Sequence, residues 1–485
     1  MASNLPDYVA SAKPLPTTAR VPWYKSTAQT YAGVMLWFVF WHQVPMGAEL
    51  VKDSGYSLFA GGTLAQGLGV ALLGLIAAAL ICHFLFYLVP GMLGMKTGLP
   101  LYIVGTSTYG VQGGFLMPGF LMGVLQFGWL AVNAYFSAAL LVHPFFKPDA
   151  AGVMHHMGSP AHLIVAAIWA IMCAFLGLKG IKYVARVATF LPLIPLVILI
   201  VLCVATFSGV ANFDTKALVT TGQIAAAKPA LSTFAIFAVM GTFVVGFFAT
   251  AGAAGVDIAM NTRNGKDVQL GGLTGVALAT IVAGGLALLI VAGAHGMKLA
   301  GIGGMTDPIA MMEAIMGKSI APVFMYLLAI AALPPACFSA FIAANSFKTT
   351  LPKVNPFISC GIGTAVAIAL AISGWAGQAA GVFTIIGASF GPVCGAMMAD
   401  YLLAGRKWPG PRAGFNAAGW ISWILGFAVG AVEFIAKIPG LEGLAGKVPC
   451  PPVAAFIVGF VLYIVLATIG LQSKTLDMPA NTQQA

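Results

Sequence analysis

Apolar runs long enough to cross a bilayer recur twelve times along this chain, and that pattern constrains the fold more than any other feature. A helical span needs about 20 predominantly apolar residues. The runs fall at 28–48, 58–89, 112–143, 161–178, 183–208, 233–256, 268–296, 320–347, 356–373, 378–403, 414–436 and 452–471. They are continuous rather than alternating, which selects helices over a β-barrel. Only 7% of the residues are charged and 60% are apolar, with a mean hydropathy of +0.96. A soluble domain carries about 25% charged residues, so this chain could not cover a water-facing surface. The expected fold class is an all-α membrane protein with twelve transmembrane helices. A soluble enzyme, a disordered scaffold and a disulfide-built secreted domain are excluded.

The formal net charge of +10 comes from Lys and Arg scattered over the connections, which speaks for topology and against nucleic-acid binding. With the N-terminus inside, the inner connections hold fifteen Lys and Arg and the outer ones eight. That excess places both termini in the cytoplasm. The first 27 residues lack the apolar core of a signal peptide and read as a cytoplasmic tail. The seven cysteines are dispersed without CxxC spacing and mostly lie within apolar runs, where Cys behaves as a small hydrophobe. The connections are short and contain no GxxxxGK[ST], so nothing here would hydrolyse ATP. No nucleophile, metal cluster or acid pair is assembled, and no enzyme activity is expected.

Four spans break the rules of a membrane helix, where lipid satisfies no backbone group. The first contains Trp41-His42-Gln43-Val44-Pro45-Met46-Gly47. Pro45 frees carbonyls that could face a cation or substrate; a plain proline kink near the membrane surface is the other reading. The sixth holds a small, Gly-rich stretch, Gly246 to Gly255, with Phe247, Phe248 and the hydroxyl of Thr250; close helix packing explains it equally well. Interrupted helices at corresponding positions of two halves point to a transporter's midplane site, and spans one and six correspond if the first ten spans form two inverted repeats of five. In the third span Gln126, Trp129 and Asn133 share one helix face, suited to stacking and edge-reading of a flat polar ring or to gluing helices together. In the eighth, Pro334-Pro335 open the helix before Ser339 and Asn345. His42 is the most central ionisable residue; Asp257, Asp400 and Glu433 sit near span ends, as solvated or gating groups.

The chain resembles the nucleobase:cation symporter-1 family, and its cytosine-permease branch in particular, over most of residues 25–470. Four stretches carry the resemblance: Gly94-Met95-Lys96-Thr97-Gly98-Leu99 after span two, Gln126-Phe127-Gly128-Trp129 in span three, Ala251-Gly252 with Asp257 and Arg263-Asn264 after span six, and Gly391-Pro392-Val393 through Ala399-Asp400-Tyr401-Leu402 in span ten. The resemblance implies a five-plus-five inverted-repeat core with two additional C-terminal helices. Its divisions would be a tail at 1–27, a first repeat at 28–208, a second at 209–403, two peripheral helices at 404–471 and a tail at 472–485.

It further implies a symporter that imports a nucleobase by alternating access, without a cofactor, as a monomer in the bacterial inner membrane. Substrate contacts carry over to Trp129, Phe248, Gln126, Asn133, Thr250 and Asn345, with the ring held between Trp129 and Phe248. Phe247 stands where cytosine permeases commonly have a small polar residue. A sodium site would use span-one carbonyls with Ala336 and Ser339, but its second hydroxyl position is Ala340. Losing one oxygen weakens a hard-cation cage, which leaves Na⁺ and H⁺ both open as coupling ions, with His42 and Gln43 as coupling or gating candidates. Another ring (hydantoin, allantoin or hydroxymethylpyrimidine), a channel and a transport-dead sensor are the competing functions.

Overall fold

The computed structural model describes residues 5–25, 43–47, 59–147, 156–179, 184, 188, 190–221 and 228–478. Among the described residues, nine helices are long and apolar enough to cross a membrane. These are α1 (Leu68–Thr97), α2 (Phe115–Phe145), α3 (Pro160–Lys179), α4 (Leu193–Asn212), α5 (Thr233–Ala253), α6 (Gly265–Gly296), α7 (Ala321–Thr350), α9 (Ala379–Leu403) and α11 (Pro451–Thr468). Two shorter apolar helices, α8 (Pro356–Ile372) and α10 (Ala417–Gly430), complete the set. The expected first span lies outside the described residues except for Gln43–Gly47, as does His42.

Most helices match the apolar runs, and the departures have local causes. The run at 58–89 does not start a helix until Leu68, because Gly61, Gly62 and Gly67 turn the chain with φ of +74°, +54° and +98°. The same helix runs on to Thr97. Within the run at 183–208, a described helix starts at Leu193. The run at 320–347 is two helical pieces, Ala321–Ala331 and Leu333–Thr350, meeting at Ala332. Pro334 and Pro335 occupy the first turn of the second piece, where a proline's missing N–H costs nothing.

Two groups of helices organise the interior. In one, α1 packs against α5 and α6, with α4 lying along α6. In the other, α2 packs against α3, α7 and α8. Helix α9 lies on α5 and is sheathed by α10 and α11, which makes it the most enclosed of the long helices.

The end of the bundle that carries Lys96, Arg263 and Arg406 is tied by polar contacts. Arg412 Nη2 donates to Asp400 Oδ1 at 2.7 Å and its Nε donates to the Ser107 carbonyl at 2.7 Å. Tyr463 donates its hydroxyl to the same Asp400 oxygen at 2.9 Å. Asp257 caps a short helix by accepting from the Leu101 N–H at 3.0 Å. Glu433, at the other end, accepts from the Gly446 N–H.

The carboxylates near span ends are therefore structural partners. The leading segment is docked as well. Leu15 N–H donates to the Gly98 carbonyl, Arg20 to that of Met95, Val21 N–H to that of Asn261, and Trp23 N–H to Asp267. Tyr8 donates its hydroxyl to the Val111 carbonyl, and Val9 is fully buried.

Asp400 and Arg412 are 2% and 9% exposed, and removing one partner of such a pair leaves the other charge buried alone, a loss of about 3–5 kcal/mol. Arg412→Ala should therefore lower the melting temperature of the detergent-purified protein sharply. Arg412→Met combined with Asp400→Asn should recover part of the loss in the same thermal-unfolding assay.

Candidate functional site

Trp129 is the centre around which α2, α5 and α9 meet. Its indole N–H donates to Thr250 Oγ1 on α5 at 3.1 Å. In an apolar interior that bond is worth keeping, since a buried donor without a partner costs about 1–3 kcal/mol. The indole edge meets the Phe247 ring at 4.3 Å between centroids and 85° between planes. Its face lies along Phe383 of α9 at 5.4 Å and 27°. Phe247 and Phe383 close the triangle edge to face, at 5.2 Å and 89°. Phe247 and Phe383 are buried, whereas Trp129 keeps part of its surface free.

Close helix approach sets this geometry. A Cβ on Gly246 would lie 2.7 Å from the Phe383 carbonyl oxygen. Glycine alone lets α5 and α9 touch backbone to backbone there, the device membrane helices use in place of a hydrophobic drive. Phe247 and Thr250, three residues apart, then share the helix face turned to Trp129.

The other two residues of the α2 face go elsewhere. Asn133 Oδ1 accepts from Trp169 of α3 at 3.0 Å and from Ser137 at 3.3 Å, while Nδ2 donates to the Ala332 carbonyl at 2.9 Å. Ala332 is the break in α7, so Asn133 binds a carbonyl at the junction of its two helical pieces. One amide N–H of Asn133 is left over. Gln126 is buried and its amide reaches back to the Met122 sulfur at 3.5 Å.

The remaining candidates are placed as follows. Phe248 is buried, but the rings that meet Trp129 are Phe247 and Phe383; one residue along a helix rotates a side chain by about 100°, enough to carry Phe248 off that face. Asn345 is exposed on α7. The chain break at Gln43–Gly47 packs against residues at the starts of α1 and α5, and two of its carbonyls already have a donor. Thr63 Oγ1 reaches the Val44 carbonyl at 2.7 Å and that of Pro45 at 3.3 Å. A Cβ on Gly47 would meet Thr63 and Leu231.

Of the cation candidates, Ala336 and Ser339 are buried on α7. The Ser339 hydroxyl donates to the Pro335 carbonyl at 3.2 Å, which leaves its lone pairs able to accept a cation. Ala340 supplies no oxygen from its side chain. Among the described residues no group of three His, Cys, Asp or Glu side chains could hold a metal ion. Phe383 is the residue that sequence reasoning missed; it lies in an uninterrupted apolar run, and only the Gly246 contact reveals its place.

No family model matches the chain. It is similar to the cytosine permease of Escherichia coli (strain K12), 25% identical over 430 residues, which is 86% of this chain and 88% of the relative. Among solved structures it resembles the inward-facing conformation of Mhp1, with a TM-score of 0.66 at 15% identity over 98% of this chain and 97% of that one. Mhp1, described as a nucleobase-cation-symport-1 family transporter, matches again in a closed conformation with bromovinylhydantoin bound, with a TM-score of 0.61 at 16% identity over 95% and 96% of the two chains. The chain is thus similar in sequence to a cytosine permease and in fold to a nucleobase-cation-symport-1 family transporter. Its helices adopt an Mhp1-like transporter fold, and with nine helices among the described residues long and apolar enough to cross a membrane it is a multi-pass membrane protein.

The α5–α9 contact makes a direct prediction. Gly246→Val forces atoms into the Phe383 backbone, and overpacking of this kind costs about 1–3 kcal/mol. The variant should melt below the wild type, while Gly246→Ala should fall between the two.

Proposed function

We propose that this protein is a cation-coupled symporter that imports a nucleobase, cytosine or a related purine or pyrimidine, by alternating access. It would lie in the bacterial inner membrane with both termini cytoplasmic, as a monomer. Its architecture would be a five-plus-five inverted-repeat core, 28–208 and 209–403, with two peripheral helices at 404–471. The single observation that supports this reading best is the partly buried indole of Trp129, fixed by its N–H on Thr250 and backed by two phenyl rings. An indole held at one edge presents a rigid flat face, and aromatic stacking on such a face adds about 0.5–1.5 kcal/mol beyond area burial.

In this reading the heterocycle stacks on the free part of the Trp129 indole, which Phe247 and Phe383 back, rather than between Trp129 and Phe248. Gln126 and the spare N–H of Asn133 would read the ring edges, with Asn345 brought closer only in another conformation. A mismatched edge leaves a buried polar group unpaired at about 1–3 kcal/mol, so these amides would set discrimination and the aromatics affinity. The cation would favour the outward, substrate-ready form. Hydantoin, allantoin or hydroxymethylpyrimidine is the alternative cargo, as the bromovinylhydantoin bound by Mhp1 suits the same flat slot.

Uptake of radiolabelled cytosine into proteoliposomes, with a panel of competing rings, tests the reading. Trp129→Ala should lose uptake by about tenfold or more, the loss of a stacking contact together with its supporting packing. Trp129→Phe should retain part of the rate, and Phe248→Leu should transport nearly as well as the wild type. Wild-type uptake by Trp129→Ala would overturn the stacking site. Competition by hydantoins but not by nucleobases would replace the substrate.

A further inference from the structure

His83 is the one buried imidazole whose two ring nitrogens both lack a partner among the described residues. It is fully buried. It stands fifteen residues after the start of α1 at Leu68 and fourteen before its end at Thr97, and thus at mid-depth. A polar group there needs a reason, because an unpaired donor or acceptor costs about 1–3 kcal/mol and the bilayer offers no substitute partner.

The surroundings are built around the ring. Phe84 meets it edge to face at 4.7 Å and Tyr87 lies along it at 6.2 Å. Opposite is Gly272 of α6, where a Cβ would come within 2.5 Å of Nδ1; only glycine leaves room for the imidazole. Both facing segments are wound as π-helix, Cys82–Tyr87 in α1 and Leu273–Leu278 in α6. Such bulges commonly mark functional places in helices.

Among the described residues no counter-charge touches the ring. On its own helix the titratable neighbours are Cys82, which donates to the Val244 carbonyl, and Tyr87. From α5 and the turn after it come Val244, Gly252 and Gly255. From α6 comes Gly272, with Asp267 five residues nearer the basic end and ion-paired to Arg263 at 2.9 Å. From the α11 side come Phe456, against Phe86, and Cys450 before the helix, beside Cys82; α9 also packs on the segment without an ion pair to His83. An imidazolium in this setting would be a buried charge without a partner, which costs far more than a neutral ring. The packed arrangement therefore suits the neutral form. Any arrangement that parts α1 from α6 and lets water reach the ring is favoured by protonation.

We propose that His83 is a proton-binding site that couples the proton gradient to transport, with the α1–α6 contact at Gly272 as the element its charge biases. A proton taken from water on the acidic side stabilises the parted form, and its release to water on the other side restores the packed one. Ligand binding shifts a two-state equilibrium only through such differential affinity, and a single imidazole titrates in the range where cells hold proton gradients. The inference rests on the transporter reading and names its coupling ion as H⁺.

Two measurements on the full chain test it. The first needs no substrate: hydrogen–deuterium exchange of residues 79–87 and 268–278, corrected for intrinsic rates, between about pH 5 and 8. The wild type should lose protection in both segments toward acid, whereas His83→Gln and His83→Phe should show none of that change. His83→Phe should also melt no lower than the wild type, because it replaces an unsatisfied polar ring by an apolar one; a purely structural histidine would give a lower melting temperature.

The second measurement is accumulation of labelled cytosine in proteoliposomes with an alkaline interior. One proton per substrate gives up to about tenfold accumulation per pH unit, and both variants should lose that component. Wild-type protection that ignores pH, or undiminished gradient-driven accumulation by the two variants, would overturn the proposal. A wild type that exchanges as expected but takes up none of the heterocycles would leave the proton site standing and sink the transport reading instead.

Discussion

An indole N–H buried in an apolar bundle must find an oxygen, and in this protein the oxygen is Thr250. That one bond decides which face of α5 turns toward α2. It brings Phe247 against the indole, and with Gly246 allowing α9 to close on α5, it sets Phe383 across the ring. The aromatic cluster is thus a consequence of polar satisfaction, with the rings following where the hydrogen bond leads. The same logic recurs at the break in α7. The two pieces of α7 meet at Ala332, and Asn133, itself held by Trp169, donates to the carbonyl there. The polar residues of the middle of α2 therefore hold both the stacking surface and the broken helix beside the cation candidates.

Near the basic end the bundle trades lipid-like packing for charge. Asp400 collects donors from Arg412 and Tyr463, and Asn416 adds bonds to the Thr108 carbonyl and to Tyr463. These contacts join α9, the connection before α2, α10 and α11 at one point. A neighbourhood that stiff contrasts with the His83–Gly272 contact, where among the described residues the imidazole has no hydrogen-bond partner and packs on Phe84, Tyr87 and a glycine. The first holds the two peripheral helices in place; the second is where the α1–α6 contact can change at low cost.

Much of this could be read from residues alone. Continuous apolar runs gave the helices, and Pro334-Pro335 gave the break in α7. Trp129, Thr250 and the Gln126–Asn133 face were picked out by polar or aromatic residues at helical spacing, and Trp129 and Thr250 do touch. The choice between Phe247 and Phe248 was out of reach, because adjacent aromatics in one apolar helix differ only in azimuth, and azimuth is set by packing partners far away in sequence. Phe383 carried no local signal at all. His83 sat unnoticed inside a long apolar run, and its importance depends on what faces it, a glycine nearly two hundred residues later. The late start of α1 needed the left-handed glycines at 61, 62 and 67, which a hydropathy window averages away.

The leading segment has one more implication. Residues 5–25 lie across the basic end like a seam, stitched to the turn after α1 and to the connection before α6 by two peptide-to-peptide bonds and by the side chains of Arg20 and Asp267. Tyr8 pins the front of the seam to Val111 and Tyr102, so loosening that one ring would release the stretch from the connection ahead of α2.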